Sequence, residues 1–410
     1  RPPARSALAR AARPGGAGCL TSPRDDERGG SVRGGIWLVL HLDAKKRGSM
    51  EQQILALARR LRGQGVPLTY AFARPPAPFP GDELRALGVD VRALDFAHPL
   101  RAAEQLALWL SSKPAALVHF HFVRAYSPLV AVARLAGARV AVHEHVTLIA
   151  GPRERSLREA SKALRGRALN WMADRRLAVS DFVADSVVAA DRVPAARVEV
   201  VENGVDLARF TGEGGAAVRS ELALGEAPLI VCIARFSNEK GVETAIRSVP
   251  LLSRQAQLAL VGEGEEEARF RALAAGLGVA SRVRFLGLRH DVERILAAAR
   301  AVVVPSHWDE AFGLSVVEGM ASSRPVIVSR SGAMPDILGD AGLVVPKKDP
   351  AALAAAVDRV LADEHLAAAL SHAGRRRAEE RYSMEHYVNR MVAAYERLCP
   401  GLTGATQAAA

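Results

Sequence analysis

Short apolar runs that alternate with helical stretches constrain the fold of this chain more than any other feature. In the first half these runs lie at residues 35–42, 68–72, 89–94, 116–122 and 138–143. The second half repeats the pattern, and its run at residues 301–305 consists of small and β-branched residues closed by Pro305. Such runs are typical of strands that are buried on both faces of a parallel sheet. Because strands and helices alternate, the sequence predicts an α/β fold with parallel sheets.

The segment that follows Pro305 combines two glutamates with a predicted helix start. It lies at the carboxyl end of a strand, where open α/β sheets bind ligands. Free N–H groups at the start of a helix favour a phosphate, and a glycine lets the ligand approach the backbone. The residues that lead into this helix are Phe312, Gly313 and Leu314. Glu310 and Glu318 flank the predicted anion site, which suits a nucleotide sugar because that ligand carries hydroxyls on both sides of its phosphates.

The glutamate pair alone predicts little, because glutamates near helix starts interact favourably with the helix dipole in many proteins. A second strand-loop-helix unit changes the balance: the apolar run at 229–234 ends in a loop that carries Arg235 and Lys240. Arginine can bind phosphate oxygens through two N–H groups and lysine can act as a point charge beside it. The alternative is a solvated loop whose lysine binds nothing. Two such loops in one domain favour a binding site.

These motifs, in this order, resemble the donor site of family 4 retaining glycosyltransferases of the GT-B fold. Similar segments lie at residues 178–180, 201–210 and 261–264, and the resemblance covers residues 36–398. It implies two Rossmann-like domains that face each other across a cleft, with a C-terminal helix that crosses back to the first domain. The expected parts are a disordered or mistranslated extension at 1–35, an acceptor domain at 36–205, a donor domain at 206–382, the returning helix at 383–400 and a disordered tail at 401–410.

The resemblance also implies a role for each matching residue. Arg235 and Lys240 would hold the donor diphosphate, Glu318 the ribose, and Glu310 the hydroxyls of the transferred sugar. The candidate catalytic residues are therefore Arg235, Lys240, Glu310 and His121, and the candidate donor-binding residues are Glu318, Gly48, Phe312, Gly313, Leu314 and Gly262. In the family a glycine-rich loop faces the donor near Gly48, but this chain has one glycine where two are common.

Four histidines end two neighbouring predicted strands: His119 and His121 on one, His143 and His145 on the next. The resemblance places His121 near the donor sugar. Four histidines together could alternatively form a metal site. We favour histidines that bind backbone or sugar, and the chain contains no Asp-x-Asp triplet. The prediction is metal-independent transfer without a cofactor.

The net charge of +11 comes mainly from two segments. Residues 1–35 hold seven Lys or Arg against three Asp or Glu, and residues 153–176 hold eight against three. On a helix the second segment would place Leu157, Leu164, Ala168 and Trp171 on one face and basic residues on another. This pattern is typical either of a surface that binds anionic lipid or of a solvated helix face. No apolar run reaches the ~20 residues of a membrane span.

Several other classes are disfavoured. Nucleic-acid binding would explain the charge, but only 5% of residues are aromatic and no recognition motif is present. A dehydrogenase is a poor fit because no third glycine follows Gly262 and Gly264 at the required spacing. Three scattered cysteines indicate neither a disulfide framework nor a zinc site. An epimerase or a phosphorylase of the same fold stays open.

The expected function is transfer of a sugar from a UDP- or GDP-sugar to a glycan or lipid-linked acceptor, in the synthesis of cell-surface polysaccharide or glycolipid. We expect a cytoplasmic protein, peripheral on the inner face of the cell membrane.

Overall fold

A computed structural model describes residues 34–44, 48–148 and 172–403. The chain divides into two compact units, Arg1–Glu202 with Tyr387–Ala410, and Asn203–His386. Each unit contains one parallel β-sheet with helices between its strands. The prediction of an α/β fold with parallel sheets is confirmed.

The first unit is built on a seven-stranded sheet with the order β3-β2-β1-β4-β5-β6-β7. Its strands are β1 (Gly35–Leu40), β2 (Leu68–Phe72), β3 (Asp90–Ala93), β4 (Ala115–His121), β5 (Arg139–Glu144), β6 (Arg175–Ala178) and β7 (Val198–Val200). The helices described between these strands are α1 (Ser49–Gly63), α2 (Pro78–Ala86), α3 (Pro99–Ser112), α4 (Pro128–Leu135) and α5 (Asp181–Asp191).

The second unit is built on a six-stranded sheet with the order β10-β9-β8-β11-β12-β13. Its strands are β8 (Leu229–Ile233), β9 (Gln257–Val261), β10 (Val283–Phe285), β11 (Ala301–Val304), β12 (Val326–Ser329) and β13 (Gly342–Val345). Its helices are α6 (Gly215–Glu221), α7 (Val242–Ser248), α8 (Glu267–Gly276), α9 (Val292–Ala298), α10 (Leu314–Ala321), α11 (Met334–Leu338), α12 (Pro350–Ala362) and α13 (Glu364–Arg381). The last helix of the chain is α14 (Met384–Leu398).

Both sheets change direction at the same point of their topology. In the first unit β1 lies between β2 and β4, and in the second β8 lies between β9 and β11. In each sheet the first three strands are added toward one edge, and the following strands are added on the other side of the first strand, toward the opposite edge. Such a switch point opens a crevice at the carboxyl ends of the two central strands, and ligands bind there in open α/β sheets.

The strands are apolar because helices cover both faces of each sheet. Every residue of β1 and β11 is buried. In the first unit Trp37 packs near Trp109, with the guanidinium of Arg92 over both rings. Most of α14 belongs to this unit, and its Tyr395 is fully buried there. The burial explains the near-continuous apolar runs, which is the feature that predicted parallel sheets.

Two further segments of the second unit form helices. The polar stretch at 375–381 lies inside α13, where the i,i+4 pairs Arg375–Glu379 and Arg376–Glu380 support the helix. The side chain of Asp363 caps the start of α13 by accepting from the N–H of Leu366. The stretch at 206–225 contains α6.

None of the helices in the described part of the chain is both long and apolar enough to cross a membrane. Most of the predicted basic amphipathic helix at residues 153–176 lies outside the described residues, which resume at residue 172. Its contact with lipid stays a prediction.

Candidate functional site

The structure brings together three of the predicted site residues at the switch point of the second sheet. Arg235 and Lys240 follow β8, and Glu310 follows β11. These strands are neighbours in the sheet, with Ala301 opposite Ile230. Because both strands are parallel, the two loops leave the sheet at the same edge. The geometry is that of a ligand site in an open α/β sheet.

Lys240 and Glu310 form an ion pair at the centre of this site. The Nζ of Lys240 lies 2.8 Å from Oε1 of Glu310, and the hydroxyl of Ser306 donates to the same oxygen over 2.8 Å. The Glu310 side chain keeps 15% of its surface exposed and Lys240 keeps 30%. An ammonium has three donors, so one contact to Glu310 leaves N–H groups for an anionic ligand. The carboxylate thus orients the lysine at the edge of the site.

The backbone carbonyl of Glu239 joins the two loops. It accepts from the N–H groups of His307 and Trp308 at 2.8 and 3.0 Å, and the hydroxyl oxygen of Ser306 lies 3.1 Å from it. The His307 ring is held in turn by the Thr244 hydroxyl at 2.8 Å. A short 3-10 turn at Asn238–Lys240 carries this carbonyl. These bonds fix the loop of Lys240 against the loop of Glu310.

Arg235 is the more exposed of the two cations. Its side chain is 61% exposed and pairs with Glu239 at 2.6 Å. An exposed ion pair of this kind is worth only about 0 to 1 kcal/mol, so a phosphate can displace the glutamate at small cost. The guanidinium is therefore available to a ligand.

Two glycines allow the loops to pack closely. A Cβ on Gly241, which has φ +71°, would lie 1.9 Å from the carbonyl oxygen of Pro305. A Cβ on Gly332, with φ +53°, would lie 2.2 Å from the carbonyl oxygen of Glu310. That same carbonyl accepts from the N–H of Ala333 at 2.8 Å. A side chain at Gly241 would clash with the backbone of Pro305, and one at Gly332 with the backbone of Glu310, so either would displace a loop of the site.

The other predicted residues of this unit surround the start of α10. Gly313 is the residue before the helix and has φ +91°, and Leu314 is its first residue. Phe312 is buried, with its ring 5.7 Å from Tyr382 in an edge-to-face contact. Glu318 is half-buried in the middle of the helix.

Gly262 has a packing role that the sequence did not indicate. It has φ +136°, and a Cβ there would lie 2.0 Å from the carbonyl oxygen of Ala234. Its own N–H donates to the carbonyl of Gly287 over 2.9 Å. The glycine therefore lets the end of β9 approach the loop that carries Arg235, and its contact with a donor stays a prediction.

Gly48 and His121 belong to the first unit. Gly48 precedes α1 with φ −82°, a conformation open to any residue. His121 ends β4 and is buried, and its Nδ1 lies 3.0 Å from Nε2 of His145. Burial and the neighbouring histidines hold the pKa of His121 well below its usual value, so the ring is neutral.

Sequence reasoning missed Ser306, Gly332 and the carbonyl of Glu239. Ser306 is 1% exposed in the structure. The signal available in the sequence was a serine directly after Pro305, at the end of a predicted buried strand. The carbonyl of Glu239 has no side-chain signature. Gly332 follows β12, and Glu310 follows β11. The two residues meet because β11 and β12 are neighbours in the sheet, which the sequence does not show.

Two family descriptions match consecutive parts of the chain. "Glycosyltransferase Family 4" matches residues 50–209, and "Glycosyl transferases group 1" matches residues 217–377. The chain belongs to glycosyltransferase family 4. The predicted family is thereby confirmed, and the matches span both units.

Curated relatives of this family 4 member include a D-inositol 3-phosphate glycosyltransferase of Geodermatophilus obscurus, which is 36% identical over 231 residues, 52% of this chain and 50% of the relative. A GDP-mannose-dependent alpha-(1-6)-phosphatidylinositol monomannoside mannosyltransferase of Mycolicibacterium smegmatis is 33% identical over 44% of this chain and 52% of the relative. The matched part of this family 4 member spans about half the length of these relatives.

Solved structures show that this family 4 member has the GT-B fold. Anabaena HepE in complex with UDP aligns with a TM-score of 0.75 at 18% identity, over 88% of this chain and all of that chain. WaaG, a glycosyltransferase involved in lipopolysaccharide biosynthesis, aligns with a TM-score of 0.65 at 16% identity, over 89% of this chain and all of that chain.

Proposed function

We propose that this protein is a retaining glycosyltransferase that moves a sugar from a nucleotide-sugar donor to a glycan or lipid-linked acceptor. One observation carries the proposal. Lys240 pairs with Glu310, whose carboxylate also accepts from Ser306, at the switch point of the second sheet. A cation held at such a crevice fits an anionic ligand better than it fits a purely structural ion pair.

The donor diphosphate is the part of the substrate that this site would bind. Lys240 and Arg235 supply positive charge on one side, and the free N–H groups at the start of α10 supply donors on the other. Departure of the nucleoside diphosphate builds negative charge on its oxygens. Groups already oriented toward that charge stabilise the transition state because they need no rearrangement.

The two glutamates would divide the rest of the donor between them. Oε1 of Glu310 accepts from Lys240 and Ser306, which orients the carboxylate and presents Oε2 to a sugar hydroxyl. Glu318 lies further along α10, where it would accept from the ribose hydroxyls. Glu310 would therefore act twice, as a sugar contact and as the group that positions Lys240.

The proposed mechanism needs no metal and no covalent intermediate. The acceptor hydroxyl would attack the anomeric carbon from the face that the diphosphate leaves, and a leaving phosphate oxygen would take the hydroxyl proton. Attack on that face retains the configuration. The charge that a divalent ion would neutralise falls to Lys240 and Arg235.

The donor class and the cellular setting rest on the relatives. One relative is named as GDP-mannose-dependent, and a solved neighbour contains UDP. Another relative is a lipopolysaccharide core biosynthesis glycosyltransferase of Rhizobium meliloti, 32% identical over 44% of this chain and 54% of the relative. We propose a UDP- or GDP-sugar donor and an acceptor of cell-surface polysaccharide or glycolipid synthesis. We also propose a cytoplasmic protein that contacts the membrane through residues 153–176.

A donor screen by thermal unfolding tests the proposal. UDP-, GDP- and ADP-sugars are added at equal concentration to the full chain and to the Lys240→Ala variant. A ligand present at 100 times its Kd stabilises the folded form by about 2.7 kcal/mol, so we expect one nucleotide class to raise Tm by several degrees in the wild type. Release of nucleoside diphosphate should then require an acceptor, which separates a transferase from an epimerase. If every nucleotide sugar changed the Tm of the two proteins by the same amount, the donor site would be disproved.

Replacing Glu318 with alanine should weaken nucleotide binding about 10-fold or more. A hydrogen bond to a charged group is worth about 1.5 to 3 kcal/mol, and the ribose is common to the free nucleotide and the sugar donor. We therefore expect the same loss for the nucleoside diphosphate and for its sugar, measured by calorimetry. Glu293→Ala is a control in the same unit, because Glu293 pairs with Arg209 at 2.7 Å and has no proposed role. A loss confined to the sugar donor would contradict the ribose assignment.

A further inference from the structure

Three buried serines surround the loop that carries Glu310. Ser306 follows β11, Ser329 ends β12, and Ser331 lies two residues further on. Their exposed fractions are 0 to 1%, and each hydroxyl has a hydrogen-bond acceptor. A buried polar group without a partner is costly, so the partner that each hydroxyl uses decides how this loop is held.

The segment after β12 holds alternate carbonyls of this loop. The hydroxyl of Ser329 donates to the carbonyl of Ser306 over 2.5 Å. The hydroxyl of Ser331 donates to the carbonyl of Trp308. The next bond in the series runs from a backbone N–H to the carbonyl of Glu310 over 2.8 Å. The segment therefore holds the loop at every second residue, as a neighbouring strand would, with two hydroxyls in place of N–H groups.

Ser306 has one hydroxyl hydrogen and three acceptors within reach. Its Oγ lies 2.8 Å from Oε1 of Glu310, 3.1 Å from the carbonyl oxygen of Glu239 and 3.2 Å from that of Trp308. A hydroxyl carries a single hydrogen and donates to one acceptor at a time. The direction of that hydrogen decides whether Ser306 supports the carboxylate of the donor site.

Both competing carbonyls have donors of their own. The carbonyl of Glu239 accepts from two backbone N–H groups. The carbonyl of Trp308 accepts from Ser331, and within the described ranges only Ser306 could otherwise serve it. Because these carbonyls are satisfied, the hydrogen of Ser306 is left for Glu310, whose charge also makes it the stronger acceptor.

We propose that Ser331 is a positioning residue of the donor site, which acts through Ser306 on Glu310. By satisfying the carbonyl of Trp308, it directs the Ser306 hydroxyl to the carboxylate that pairs with Lys240. Without the Ser331 hydroxyl that buried carbonyl lacks its donor, and the hydroxyl of Ser306, 3.2 Å away, is drawn to it. Oε1 of Glu310 then keeps its bond from Lys240 alone.

This inference rests on the proposed function, because it concerns how the glutamate and the lysine of the donor site are held. Ser331 is 0% exposed, so the side chain cannot bind substrate itself. Its effect on transfer has two possible routes. One runs through the hydroxyl of Ser306, and the other runs through the backbone position of the loop alone.

A double-mutant cycle between Ser331 and Ser306 separates the two routes. We expect Ser331→Ala to lower kcat/KM about 10-fold, the effect of weakening one hydrogen bond to a charged group. Ser306→Ala should lower it by at least as much. Because Ser331 acts through the Ser306 hydroxyl, the double variant should be no less active than Ser306→Ala. Losses that multiply in the double variant would assign Ser331 to the backbone alone and overturn the proposal.

Ser248→Ala is the matched control for a lost buried hydroxyl. Ser248 is the last residue of α7 and is 6% exposed, and its hydroxyl donates to the carbonyl of Ala245 over 2.7 Å. We expect its Tm to fall about as far as that of Ser331→Ala, while its kcat/KM stays within about twofold of wild type. An equal kcat/KM in the two folded variants would contradict a role for Ser331 in the donor site.

Lys240→Ala in the same assay distinguishes failure of this inference from failure of the proposed function. Lost activity in Lys240→Ala with full activity in Ser331→Ala would remove only the role of Ser331. Full activity in both variants, or no transfer by the wild type, would remove the donor site and this role together.

Ser331→Cys replaces the alanine variant if that protein does not fold. A thiol has nearly the same volume as a hydroxyl group and is a weaker donor. We expect a loss of kcat/KM of about 2- to 10-fold that disappears when Ser306 is already alanine. A loss of the same size in both backgrounds would overturn the proposal.

Discussion

Replacing Lys240 with alanine is expected to lower kcat/KM by about 10²- to 10³-fold, the usual effect of removing one oriented donor from a developing negative charge. The reason lies in the pair with Glu310 and the bond from Ser306 to the same carboxylate oxygen. These contacts hold the ammonium at the switch point before a donor arrives. Steady-state kinetics with the donor found by the thermal screen measures the effect.

The Lys240 variant needs controls for charge and for folding. Arg271→Ala removes another cation of the second unit, one that is 55% exposed and paired with Glu267 on a helix surface. It should change kcat/KM less than twofold. Lys240→Arg keeps the charge and should recover part of the activity. Full activity in a folded Lys240→Ala protein would rule out the lysine as a donor contact.

Much of the fold follows from local sequence. The apolar run at residues 68–72 forms strand β2 with the predicted bounds. β-branched runs such as Val302–Val304 have one stable environment in a protein of this size, a strand buried on both faces. The carboxyl ends of such strands locate a site without further information, which is why Arg235, Lys240 and Glu310 could be placed together in advance.

Contacts between distant segments could not be predicted in the same way. The Ser306 hydroxyl reaches Glu310 and the carbonyl of Glu239 because β8 and β11 are neighbours, although 67 residues separate Ser306 from Glu239. The register of β4 and β5 likewise decides that His121 faces His143. A shift of one residue would send one ring to the other face of the sheet. Sequence predicted four histidines at strand ends, but not that nitrogen atoms of three of them lie within 4.8 Å of one another.

Arg176 of the first unit forms ion pairs with Glu144, which is also buried, and with the partly exposed Asp191. Arg176 of β6 is 6% exposed, and its guanidinium donates to Glu144 over 2.8 Å from Nε and to Asp191 over 2.8 Å from Nη2. Burial raises the pKa of Glu144, and the charge of Arg176 opposes that rise. The carboxylate therefore depends on Arg176 to stay ionised at neutral pH.

Replacing Arg176 with alanine should lower the free energy of unfolding of the first unit by about 3 to 5 kcal/mol, because it leaves a buried charge without its partner. Because the pKa of Glu144 is raised in the folded state, the contribution of this group to the free energy of unfolding is largest at low pH. That contribution is lost as the pH rises. Without Arg176 that pKa rises further, so the deficit relative to wild type should be largest at neutral pH and shrink as the carboxyl is protonated. Urea unfolding between pH 5 and pH 8, followed by tryptophan fluorescence, measures it, since three of the four tryptophans lie in residues 1–202.

Two further variants separate this explanation from a simple loss of packing. Arg175→Ala removes the neighbouring guanidinium, which donates to the carbonyl of Ala196 at the surface, and should cost less than 1 kcal/mol. The double variant Arg176→Met with Glu144→Leu removes both buried charges and should recover a large part of the stability. If the double variant were as unstable as Arg176→Ala at every pH, the loss would come from packing at β6 and not from the unpaired carboxylate.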